Sequence, residues 1–196
     1  MKFNSKLIAE IAIMAALAFA LDFIQGPITR GLFPNGGSIG IAMLPILILS
    51  YRRGFIYGFL AGLILSFIQM LGGVYLSADQ WYMIILQLLL DYILAYPLVA
   101  FAGIFREKYL NSENKTKKNA FLIYGVILGG FLKIVCHYLA GVIFWSSSCP
   151  EGYFGGAYVY SFVYNSSYMI PNIILNALIL VLMANKFHGL LNPNEK

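Results

Sequence analysis

A chain of 196 residues that is 60% hydrophobic and only 11% charged, with a mean hydropathy of +0.78, lies far from a soluble domain, in which about a quarter of residues are charged. Its length suits six apolar spans of ~20 residues with short loops, a single all-α integral membrane domain over residues 1–196 and no separate soluble part. The net charge of +5 does not point to nucleic acid, because the basic residues are dispersed over loops and not gathered into one stripe.

The first apolar run, Leu7 to Leu21, follows Lys2 and Lys6. Such a flank also fits a cleavable signal peptide, but Glu10 interrupts the core and the run continues through Phe23 and Ile24. Within it Ala12, Ala16 and Ala20 recur every fourth residue, a small-residue stripe that lets another helix approach closely, either inside the protein or on a partner. Gly26 to Gly40, with Pro27, Pro34 and Asn35-Gly36-Gly37-Ser38, carries turn chemistry and is expected to fold as a loop over one face. The second run, Ile39 to Tyr51, ends at Arg52 and Arg53, and Pro45 inside it predicts a kink or a broken helix.

Phe55 to Leu71 is the third run, where Gly54, Gly58 and Gly62 predict a close helix-packing face. After a short loop the fourth runs from about Trp81 to Phe105, with Asp91 and Tyr92 in its interior. Arg106 to Lys118 reads as a solvated loop. The fifth run, Asn119 to Trp145, contains KIVCHYLAGVIFW, and the last extends from about Ser161 to Phe187 past Asn165, Pro171, Asn172 and Asn176. Cys136 and Cys149 form no metal or redox motif.

With both termini cytoplasmic, the inner side receives Lys2, Lys6, Arg52, Arg53, Arg106, Lys108, Lys115, Lys117, Lys118, Lys186 and Lys196. The outer side receives only Arg30, an asymmetry that satisfies the positive-inside rule for six spans. Lys133 stays within the membrane. Ionisable groups at that depth are costly and mark ligand or ion sites.

Lys133 and His137 share one helical face, and Trp145 lies two turns further along, close to it. Counting at 1.5 Å per residue, Asp91 falls roughly 15 Å below the outer boundary, His137 roughly 12 Å and Lys133 roughly 18 Å. Comparable depth makes Lys133 the expected basic partner of Asp91, in a structural ion pair or a ligand site. Tyr92, Trp145, Tyr158, Tyr160, Tyr164 and Asn165 approach the same outer half, a set suited to a small, flat, cationic molecule that stacks, hydrogen-bonds and pairs with a carboxylate. Two other classes use the same residues: an intramembrane enzyme with His137 and Asp91 as acid and base, and an ion-coupled transporter with Asp91 and Lys133 as a relay. No Gly-rich phosphate loop ending in Lys-Ser/Thr occurs, so ATP hydrolysis by that route is excluded.

Five segments together resemble the thiamine-specific substrate-binding (S) components of energy-coupling factor vitamin transporters: EIAIMAALAF from Glu10, PNGGSI with the later RRG at Arg52, LLDYILAYP from Leu89, HYLAGVIFW from His137 and YSFVYNSSYMIP from Tyr160. The resemblance covers nearly the whole chain and implies the six-helix S-component fold, no catalysis and no cofactor. It implies thiamine contacts from Asp91, Tyr92, His137, Trp145, Tyr160 and Asn165, with Lys133 as the helix-turn lysine. It further implies that Ala12 and Ala16 dock a transmembrane coupling protein, which works with two ABC-type ATPases in the bacterial cell membrane. An S component for another vitamin would share the fold and the docking face but differ in pocket residues. Two departures are visible: Asp91 stands where some members have glutamate, and the first loop offers Leu32, Phe33 and Pro34 where some place a tryptophan.

Overall fold

The structure, a computed structural model, describes residues 4–187 and 189–192. Lys2 and Lys196 of the charge argument lie outside the described residues, as does the side chain of Arg30. In chain order the helices are α1 (Ser5–Thr29), α2 (Leu44–Arg53), α3 (Phe55–Met70), α4 (Trp81–Gln87), α5 (Arg106–Leu110), α6 (Lys115–Phe144) and α7 (Gly156–Lys186), with no strand among the described residues. Between α4 and α5 the chain passes through a π-helical stretch, Leu88–Ile93, and a 3-10 stretch, Pro97–Phe105.

Helices α1, α6 and α7 are each long and apolar enough to cross a membrane, and Trp81–Ile93 with Pro97–Leu110 makes a further apolar pair bent by 51°. The second apolar run departs from expectation. Its first residues are not helical, and Pro45 sits in the first turn of α2, where the missing N–H has no intrahelical partner to lose, so the proline starts the helix instead of kinking it. The ten residues of α2 reach only ~15 Å, half of the ~30 Å hydrocarbon thickness. Every residue from Leu44 to Tyr51 is buried, so α2 is a core element enclosed by its neighbours.

The non-helical backbone before α2 is satisfied from inside the protein, as a buried segment in an apolar setting requires. Asn172 Oδ1 accepts from the Gly40 N–H at 2.6 Å while its amide donates to the Ser38 carbonyl at 2.8 Å. Asn176 donates to the Gly40 carbonyl, Gln25 accepts from the Ile41 N–H, and the Thr29 hydroxyl bonds both N–H and carbonyl of Ile39. The asparagines along α7 therefore hold a neighbouring segment in place. Replacing Asn172 with Ala, which strands two backbone groups, is expected to cost about 2 kcal/mol and lower the Tm by roughly 4–8 °C in a thermal melt of the detergent-solubilised protein.

Close packing depends on small residues, as expected for helices that meet in lipid. A Cβ on Gly62 would lie 2.8 Å from the backbone of Pro97, and one on Gly129 2.5 Å from the Val99 carbonyl oxygen. Gly54 differs from the expected packing role: at φ 105° it is the joint between α2 and α3, a conformation that excludes most side chains. At that end Glu10 on α1 is held by Arg52 at 3.2 Å and Arg53 at 2.5 Å, and Arg52 also donates to the carbonyls of Gly189 and Leu190.

The alanine stripe of α1 faces outward. Ile11, Ala15 and Ala18 pack inward, whereas Ala12, Ala16 and Ala20 are exposed. Of the two uses of the stripe, internal packing is not the one this fold makes of it.

Candidate functional site

Asp91 lies in the π-helical stretch, where the Leu94 N–H reaches back five residues to the Leu89 carbonyl at 2.9 Å. Such wide turns recur at functional sites because they redirect one side chain out of α-helical register. Trp145, capping the end of α6, donates its indole Nε1–H to Asp91 Oδ2 at 2.7 Å. His137 Nδ1 lies 3.6 Å from Asp91 Oδ1, and both side chains are largely enclosed, with 19% and 16% of their surfaces exposed. The Asp91 carboxylate thus faces one imidazole and one indole, brought together from two separate runs of sequence.

The expected pairing of Lys133 with Asp91 is not made. Buried Lys133 instead places its ammonium 3.4 Å from the centre of the Tyr96 ring, in a cation-π contact. The Tyr96 hydroxyl points to Asp22 Oδ1 at 3.5 Å, and Gln69 donates to Asp22 Oδ2 at 3.0 Å. Lys133 therefore belongs to a second polar cluster, one helical turn from His137. Asp22 joins that cluster from α1 and was not among the expected site residues, although a lone carboxylate inside an apolar run was a signal for it.

The other expected site residues hold two loops over this end of the bundle. The Tyr92 hydroxyl accepts from the Tyr75 N–H at 2.8 Å and donates to the Tyr75 carbonyl at 3.2 Å. Fully buried Gln87 bonds the same loop, accepting from Ser77 and Ala78 and donating to Tyr75. Across the bundle, the Tyr160 hydroxyl accepts from the Asn35 amide at 3.0 Å. Tyr164 accepts from the Asn35 N–H and donates to the Gly36 carbonyl, both at 2.9 Å. Phe33 packs edge-on against Tyr168 at 5.4 Å, and Gly37 lies so close that a Cβ would sit 2.6 Å from that ring. Tyr158 is exposed.

Asn165 is buried between α6 and α7, donating to the His137 carbonyl at 3.3 Å and to Ser161, and accepting from the Tyr168 hydroxyl at 2.6 Å. Tyr168 also sets its ring against His137, 6.4 Å between centres. Tyr168 was missed in the sequence, yet it continues the four-residue spacing of Tyr160 and Tyr164 along one face of α7. Asn165 holds the His137 backbone while Tyr168 faces its ring from α7. The assembled chemistry is one enclosed carboxylate, aromatic faces and hydrogen-bonding hydroxyls and amides beneath two strapped loops.

Comparison with known proteins shows the family. The model of the family described as thiamine transporter protein matches residues 8–192. The thiamine transporter ThiT of Bacillus subtilis (strain 168) is 34% identical over 177 residues, covering 89% of this chain and 88% of the relative. ThiT of Lacticaseibacillus paracasei is 29% identical over 180 residues, covering 88% and 83%. A solved structure of ThiT from Listeria monocytogenes superposes with a TM-score of 0.80 at 29% identity, over 97% of this chain and all of that one. The chain is therefore a membrane protein that belongs to the thiamine transporter protein family, a family of transport proteins and not of enzymes.

Proposed function

We infer that the chain is the thiamine-binding S component of an energy-coupling factor importer in the bacterial cell membrane. In this reading it is one six-span domain over residues 1–196 with both termini cytoplasmic. It takes thiamine from the outer side and delivers it with a transmembrane coupling protein and two ABC-type ATPases. The observation that carries the reading is the convergence of Asp91, His137 and Trp145 at 2.7 and 3.6 Å. Thiamine carries a permanently charged thiazolium and a flat aminopyrimidine, so Asp91 offsets charge or accepts from the amino group while the indole and imidazole stack on the rings. Tyr92, Tyr160 and Asn165 supply polar contacts around it, and Lys133 lines the floor one turn below His137. A relay of Asp91 with Lys133, which a self-sufficient ion-coupled transporter would need, is disfavoured by the Lys133 contact to Tyr96.

Titration of the purified protein with thiamine tests the reading. Thiamine is expected to quench tryptophan fluorescence and raise the Tm. The quench should vanish in Trp145→Phe and persist in Trp81→Phe, since the indole of Trp145 bonds Asp91 whereas Trp81 is exposed. Absence of both quenching and stabilisation would rule out thiamine as the ligand, and a response to a different vitamin would reassign the specificity.

A further inference from the structure

The turn that carries Asp91 should not be stable by itself. In a continuous helix the Ile93 carbonyl would accept from the N–H four residues on, but that residue is Pro97, which has none. A carbonyl left unpaired in an apolar interior is costly and would pull the turn toward another register. The missing donor comes from a different helix: the hydroxyl of Ser66, fully buried on α3, lies 3.1 Å from the Ile93 carbonyl oxygen and donates to it. One turn earlier on α3, Gly62 leaves room for the break to approach, since a Cβ there would lie 2.8 Å from both the nitrogen and the Cα of Pro97. The break is thus pinned to α3 at both of its ends.

We propose that Ser66 and Gly62 are positioning residues for the ligand site: they fix the helix break at Ile93–Pro97 and so set where Asp91 presents its carboxylate to Trp145 and His137. Neither touches the carboxylate. Their effect travels two residues along the backbone, from the captured Ile93 carbonyl to Asp91. On its other side α3 packs against α1, with Ala61 in contact with the buried face formed by Ile11 and Ala15. The Asp91 turn and α1 therefore bear on the same helix. The inference deepens the assignment of Asp91 to the thiamine site and rests on it for its effect on affinity, though not for its effect on geometry.

The test uses the full-length protein carrying Trp81→Phe, which leaves Trp145 as the only tryptophan. Its emission reports on the Asp91 hydrogen bond without any ligand. Ser66→Ala is expected to shift that emission in the ligand-free protein and to weaken thiamine binding about tenfold. Ser66→Cys keeps a weak donor on a slightly larger side chain and should fall between wild type and Ser66→Ala. Gly62→Ala acts by pushing the break outward and should move emission and affinity in the same direction as Ser66→Ala. Unchanged emission in both Ser66→Ala and Gly62→Ala, in proteins that still melt cooperatively, overturns the positioning role. A shifted emission with unchanged thiamine affinity upholds the positioning of Asp91 and counts instead against Asp91 as a thiamine ligand, an outcome that Asp91→Asn would repeat.

Discussion

Asp91→Asn is expected to weaken thiamine binding by at least ~30-fold, the equivalent of ~2 kcal/mol for loss of one partner in an enclosed, hydrogen-bonded charge pair. The substitution is nearly isosteric, so its effect is chemical. The carboxylate accepts from Trp145 and faces His137. An amide oxygen can keep the Trp145 contact, but the NH2 group then turns toward His137, and the charge that offsets the thiazolium is gone. Burial sharpens the loss, because a cation placed in a largely enclosed site without its counter-charge has little water to replace it. Isothermal titration of wild type and variant checks the prediction. Affinity preserved within about threefold would place the charged ring elsewhere, since even an exposed ion pair can account for ~1 kcal/mol.

That residue also marks how far the sequence could be read. Apolar runs and a lone carboxylate pointed to the helical membrane fold and to a polar site inside it, because a charge held at membrane depth is costly and needs a partner or a ligand to offset it. Counting along α6, an unbroken helix, placed His137 at nearly the depth of Asp91, whereas Trp145 was counted to the outer boundary and joined to Asp91 only by the resemblance. Counting failed for Lys133. Depth along a run says nothing of which way a side chain faces, and the fourth run passes through a π-helical stretch at Asp91 and bends by 51° just beyond it. The break instead carries the Tyr96 ring to the Lys133 ammonium.

The bonds that strap the loops down were hidden for a related reason. Asn35 meets Tyr164 across 129 positions of sequence, and Asn172 meets Gly40 across 132. Side-chain bonds to backbone over such separations leave no local pattern. What was legible was only the type of residue: amides and tyrosine hydroxyls inside apolar runs, which must find partners somewhere. The structure supplies the partners, in the two loops and in the non-helical residues before α2. Pro45 shows the same limit, since a proline reads equally as the start of a helix or a break within one.

Ala12→Trp should separate ligand capture from delivery. Ala12 lies on the exposed face of α1, while Ile11 and Ala15 beside it are buried, so an indole at this position points away from the core. Two residues earlier Glu10 is clasped by Arg52 and Arg53, which fixes this part of α1 to the end of α2, far along the helix from Asp22 and the polar clusters. Thiamine affinity is therefore expected to stay within about twofold of wild type, as for a surface substitution that touches no buried group. Docking of a coupling helix is another matter. A stripe of alanines lets two backbones come close enough for continuous packing, and a tryptophan within it holds them apart, so association should weaken by at least about tenfold. Uptake of labelled thiamine into vesicles that contain the coupling protein and both ATPases should fall in proportion, with Ala16→Trp, one turn on, behaving alike. If both variants bind and import thiamine as wild type does, the partner engages some other face; if both lose binding as well, α1 supports the site directly and the separation of the two roles fails.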